Sequence, residues 1–142
     1  MMREAIVAAA RGWIGTRYVH QQSARGAGCD CLGLVRGVWR EVCGDEPEKV
    51  PAYTPDWSEA SGDERLWLAA GRWLSERPLS AAQAGDVLLF RMRAGTVAKH
   101  LGIMSGPSSF VHAYSGHGVV ESALTLAWRR RVVAAFAFGG SD

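Results

Sequence analysis

An α+β fold follows from a change of period part-way along the chain. Up to about residue 74 the apolar residues recur at helical spacing; from Gly85 they alternate. The alternating runs are short and separated by Gly, Pro or Ser, so they read as strands that follow one another and pair antiparallel. The expected architecture is therefore N-terminal helices packed on a compact antiparallel sheet of about five strands.

The elements can be placed in order. Residues 2–13 form an amphipathic helix with Ile6, Ala9, Ala10 and Trp13 on one side. Residues 15–28 lack periodicity and hold Tyr18, His20 and three glycines, which reads as a loop. A second helix runs from about Asp30 to Val42, with Leu34, Val35, Val38 and Val42 as its apolar stripe and Gly44 as its stop. Asp45–Trp57 contains three prolines and suggests a surface loop. Ser61-Gly62-Asp63-Glu64 has the form of a capping box, and Leu66, Trp67, Ala70, Trp73 and Leu74 give the helix after it an apolar face. The strands expected are Asp86–Arg91, Ala98–Ser105, Ser109–Tyr114, Gly118–Ala123 and Val132–Phe138, with Gly85 and Asp86 opening the first.

Composition bounds the function. A chain of 142 residues is most simply one domain, 1–142, with one core. A net charge of +2 gives no footprint for nucleic acid and permits only a mild attraction to anionic polymers such as cell-wall material. Three cysteines, two of them one residue apart, are a poor disulfide framework and point to a reducing compartment during synthesis. The apolar run Ala5–Ala10 is too short for a signal core and is broken by Arg11. Nothing approaches the ~20 apolar residues of a membrane span, so membrane insertion is not expected. Synthesis in the cytoplasm without a signal peptide is the expectation, and work beyond it would need another carrier.

Cys31 follows a glycine-containing loop and opens a helix. Unpaired N–H groups and the positive end of the helix dipole favour an anion there, which predicts a stabilised thiolate. Two histidines lie on the strands beyond. If a hairpin is centred on Ser105-Gly106-Pro107-Ser108, His100 falls directly opposite His112 and both face the same side. His100 can then take a proton from Cys31 while His112 orients it, as in a catalytic triad. Cys29, Cys31 and the two histidines could be drawn as a zinc site, but one residue between the cysteines is shorter than the usual two to four. Neither metal nor cofactor is expected. Cys29 and Cys43 read as small buried residues, His20 and His117 as loop residues, and Arg129-Arg130-Arg131 as a solvated turn. Trp57 and Trp67 either pack on the core or meet a partner.

Four blocks carry a resemblance: Gly-x-Asp-Cys-x-Gly-Leu at 28–34, Ala-Gly-Asp-Val-Leu-Leu-Phe at 84–90, Lys-His-Leu-Gly-Ile-Met at 99–104, and Phe-Val-His-Ala-Tyr at 110–114. In this order and spacing they resemble the NlpC-type cell-wall peptidases of the papain-like superfamily. The resemblance implies a papain-like fold, Cys31 as nucleophile, His100 as general base and later acid, and His112 as the third polar residue. It also implies that Tyr18 lines the site and steadies the oxyanion, and that Asp30 holds the loop or substrate. Such enzymes cut peptidoglycan stem peptides without a cofactor, often between D-glutamate and a diamino acid. Two departures fall near the groove of relatives: Leu32 replaces a common serine, and Val19-His20-Gln21 stand where Trp-Gly-Gly is usual. Tyr18-Val19-His20-Gln21 looks closest to the branch carried by phage tails and phage-like gene transfer agents. The resulting expectation is a cysteine endopeptidase of a particle tail, recruited by tail hub or tip proteins and acting in the periplasm or cell wall of a target cell. A same-superfamily amidase or acyltransferase, and a tail adaptor with a vestigial site, are the alternatives.

Overall fold

The computed structural model describes residues 2–50, 53 and 62–139. Helix α1 (Met2–Arg11) buries Ile6, Val7 and Ala10, and helix α2 (Cys31–Val42) buries Leu34, Val35 and Val38 from its predicted stripe. Trp13, just beyond α1, is buried against α2, where its Nε1 donates to Glu41 at 2.9 Å. Between these helices, the stretch expected to be loop carries a hairpin, β1 (Ser23–Ala24) with β2 (Gly28–Cys29). Two-residue strands contain no alternation from which to read them.

Helix α3 (Arg65–Trp73) begins later than a capping box would place it: Glu64 stands at the N-cap position and its side chain makes no cap bond. Ser61, the expected cap, lies outside the described residues, as does Trp57. The Glu64 carboxylate instead accepts from the Ala98 backbone N–H at 2.8 Å and from Arg91 at 2.7 Å, pinning the turn that precedes His100. Trp67 is half-buried against the core and donates to Glu76 at 3.1 Å.

The sheet comprises β3 (Ser75–Arg77), β4 (Val87–Phe90), β5 (His100–Gly106), β6 (Ser109–Tyr114), β7 (Gly118–Ala123) and β8 (Val132–Ala137). They lie in the order β3-β8-β4-β5-β6-β7, every neighbouring pair antiparallel. Five are the expected strands; β3 is an addition, a polar edge strand without an apolar alternation to reveal it. Period-two patterning splits the sheet into two faces. Val87, Leu89, Leu101, Ile103, Val111 and Phe136 meet the helices. Leu88, Phe90, Met104, Phe110 and Ala135 form a second cluster, covered by Trp128 from the short helix α4 (Leu126–Arg129). Asp86, fully buried at the entrance to β4, holds Arg3 of α1 at 2.6 Å and so ties the first helix to the sheet.

The register of the central hairpin differs from expectation by two residues. Ile103 pairs with Val111 and Met104 with Phe110, and a bulge follows before Gly106 meets Ser109. Continued at this step, the ladder sets Gly102 opposite His112 and leaves His100 on the diagonal. A shift of two preserves parity, so both histidines still share a face.

Gly33 shows how tightly the start of α2 is fitted. A β-carbon there would lie 1.9 Å from the carbonyl oxygen of Gln22, a backbone atom that cannot swing aside. Gly33→Ala is expected to destabilise the fold by about 3 kcal/mol, through backbone displacement rather than cavity formation. Urea unfolding checks this, and an unchanged midpoint would refute it.

Candidate active site

Asp30 builds the nucleophile's platform. It is 2% exposed and occupies the N-cap of α2, where one carboxylate oxygen accepts from the Gly33 N–H at 2.7 Å. Its other oxygen accepts from the Gln21 N–H at 2.8 Å and from the Tyr53 hydroxyl, with His20 Nδ1 at 3.7 Å. These partners make Asp30 a loop-holding group. The next residue is Cys31, whose sulfur lies 3.7 Å from the carbonyl oxygen of Lys99. The backbone of Leu101 also bonds to the sulfur, so Cys31 sits against the β5 backbone at His100. Tyr18 bridges to Cys29 and lies near enough to Cys31 to feel its charge.

The two histidines meet across the hairpin. His100 Nε2 and His112 Nδ1 are 2.8 Å apart, and His100 Nδ1 is the ring nitrogen this bond leaves over. Gly102 makes the diagonal contact possible: a β-carbon there would stand 2.8 Å from Phe110 and 3.3 Å from His112. Phe90, Phe110, Tyr114 and Trp128 enclose the pair, Trp128 standing edge-on to His112 at 5.1 Å between ring centres. His112 Nε2 continues the chain to Ser122 Oγ at 2.9 Å. Trp128 and Ser122 escaped the sequence reading. Ser122 has a signal in hindsight, since it alternates with Val120, the residue opposite His112.

Electrostatics reverse one sequence expectation. Burial, followed by the charge of Asp30, pushes the Cys31 thiol up to about 12, although the backbone of Leu101 and Leu32 pulls the other way. Burial, with His112 beside it, lowers His100 to about 3, and burial lowers His112 to about 4. Thiol and imidazole are thus both driven toward their neutral forms, and away from the thiolate that a helix start alone suggests. Burial likewise raises Tyr18 to about 12, so its phenol stays a hydrogen-bond donor.

The remaining candidates fall into place around this centre. The Leu32 side chain is 8% exposed and packs in the core, so its backbone, rather than its side chain, reaches the sulfur. Cys29 is fully buried and Cys43 partly so. His20 bonds the Tyr53 carbonyl oxygen at 2.9 Å. His117 stacks on Tyr114 and, with Arg17 and Tyr18, lines a shallow groove of about 340 Å³. Arg129 donates to the Pro107 carbonyl at 2.7 Å and Arg131 lies over Trp128, so these two arginines are engaged by the β5–β6 turn and by α4. Among the described residues no group of three or more His, Cys, Asp or Glu side chains is placed to hold a metal ion.

Comparison with known proteins bears on the fold and the family. The model of the NlpC/P60 family matches residues 15–137. The chain belongs to the NlpC/P60 family. It is 33% identical over 120 residues to the murein DD-endopeptidase MepS/murein LD-carboxypeptidase of Escherichia coli K12, covering 84% of this chain and 54% of that protein. It is 27% identical over 121 residues to a probable endopeptidase NlpC homolog of Haemophilus influenzae, covering 85% and 54%. The chain thus spans about half the length of the curated relatives it matches. Among solved structures, the NlpC/p60 domain of the peptidoglycan hydrolase SagA superposes with a TM-score of 0.64 at 27% identity, over 96% of this chain and 98% of that one. The mixed architecture of helices on an antiparallel sheet is that of NlpC/P60 domains.

Two measurements test the neutral resting state. Alkylation of Cys31 by iodoacetamide, followed by peptide mass mapping, is expected to rise about tenfold per pH unit between pH 7 and 9. A plateau near pH 6 would reveal a preformed thiolate–imidazolium pair instead. The buried histidines also make stability depend on pH. Unfolded, each binds a proton below its ordinary 6.5; folded, His112 does so only near 4 and His100 near 3. The unfolded chain therefore holds more protons in this window, and stability is complete above 6.5 and falls with pH below it. Urea unfolding at pH 7 and pH 5 should show the loss, reduced in His100→Gln.

Proposed function

We propose that this protein is a cysteine endopeptidase of peptidoglycan stem peptides. The observation that carries the reading is the placement of Cys31 at the head of α2 against the β5 backbone at His100, with His100 itself held by His112 at 2.8 Å. A substrate carbonyl entering the site displaces the thiol from the Lys99 carbonyl and turns its proton toward His100 Nδ1. As Sγ bonds the carbonyl carbon, that proton passes to Nδ1 and the tetrahedral oxygen gains its negative charge beside the backbone N–H groups at the start of α2. His100 returns the proton to the leaving amine as the C–N bond breaks. A water then gives up its own proton to His100 and attacks the thioester, and Cys31 recovers its hydrogen as the acid departs.

The finer assignments rest on the sequence resemblance. The bond proposed lies between D-glutamate and the diamino acid, with a D,D cross-link, the activity named for the Escherichia coli relative, as the competing outcome. Tyr18-Val19-His20-Gln21 supports delivery by the tail of a phage or gene transfer agent, with hub or tip proteins as partners and the cell wall of the target as the place of action. Neither nucleic acid nor membrane insertion has a part in this reading. One observation favours a second reading, a tail adaptor with a silent site: Cys31 is 6% and His100 8% exposed.

Muropeptides digested with wild-type protein and with Cys31→Ala, followed by mass spectrometry, separate these readings. Cleavage within the stem peptide that falls at least about a thousandfold in Cys31→Ala supports the endopeptidase. Release of the whole peptide from the sugar identifies an amidase, and no product from either protein identifies the adaptor.

A further inference from the structure

We propose that Ser122 is a positioning residue that sets the proton order of the histidine pair, by accepting a hydrogen bond from His112 Nε2. The inference rests on the reading of Cys31 and His100 as nucleophile and base. It follows from a chain of three side chains: His100 Nε2 to His112 Nδ1 at 2.8 Å, and His112 Nε2 to Ser122 Oγ at 2.9 Å.

A neutral imidazole carries one N–H and one lone pair, so this chain has two self-consistent directions. In the forward direction His100 donates from Nε2 to His112 Nδ1, and His112 donates from Nε2 to Ser122. His100 Nδ1 then holds a lone pair and can receive the Cys31 proton. In the reverse direction Ser122 donates to His112, which donates from Nδ1 to His100, and His100 Nδ1 already bears a hydrogen. That form is no base. Once His100 has taken the thiol proton, it is an imidazolium with hydrogens on both nitrogens, and only the forward direction remains. His112 must then present its lone pair at Nδ1 and its N–H at Nε2.

Ser122 gives that N–H an acceptor. His112 is fully buried among Phe110, Tyr114 and Trp128, so an N–H without a partner there carries its full desolvation penalty. Without the hydroxyl oxygen, the reverse direction leaves only a bare lone pair at Nε2, the lesser defect. The hydroxyl therefore keeps the forward direction open to His100, although it stands beyond His112 and touches no reacting atom.

Long-range proton–nitrogen correlation NMR on histidine-labelled protein reads the tautomers directly. The wild type is expected to show hydrogen on Nε2 of both His100 and His112, and Ser122→Ala to move it to Nδ1. Inactivation of Cys31 by iodoacetamide at pH 7 should slow about five- to tenfold in Ser122→Ala, the scale of one net hydrogen bond, and recover to within about twofold in Ser122→Thr. In muropeptide turnover the loss should fall on kcat with KM unchanged. Unchanged tautomers in Ser122→Ala, or an inactivation rate within about twofold of wild type, would overturn the proposal. A wild type with the expected tautomers but no muropeptide cleavage would overturn the endopeptidase reading and leave this one standing.

Discussion

The buried carboxylate of Asp30 is the constraint on which the site depends. A charge this deep in the protein is tolerated only when its oxygens are fully used, and here they reach in three directions. One oxygen fastens the first turn of α2 through Gly33, and the other gathers Gln21 of the preceding loop and Tyr53 from beyond the helix. Local helix formation and long-range loop placement are thereby coupled through one side chain. The position of Cys31, the next residue, follows from both.

That arrangement has an electrostatic cost. The same carboxylate that places the sulfur also opposes its ionisation, and burial opposes it more strongly still. Both effects favour the neutral thiol, which is the form less reactive toward small electrophiles and oxidants.

Legibility from sequence tracked the range of the forces involved. The α2 stripe and the strand alternation are local patterns, and each was visible. The face shared by His100 and His112 was visible too, because parity survives a register error of two. The register itself was not: it is set by a bulge between Met104 and Gly106 and by Gly102, which lets the rings meet on the diagonal. Glu64 looked like a capping residue because its spacing from Ser61 is right, yet its carboxylate is claimed by Arg91 and Ala98 from a distant turn. The charge state of Cys31 was misjudged for a related reason. A helix start is read from neighbouring residues, whereas desolvation is imposed by the whole sheet. Ser122 needed the pairing of β6 with β7 before its reach to His112 could be seen.

The bulge in the central hairpin carries a consequence for how this domain can change over generations. Side chains alternate across a strand, so a turn that grows or shrinks by one residue sends everything beyond it to the other face. His112 would then point toward the helices and away from His100. Length changes at the Gly106–Ser109 corner are therefore tolerable in steps of two, or when an added bulge absorbs the odd residue. The hairpin tip is exposed and looks free to vary, yet it is counted, residue by residue, from the site.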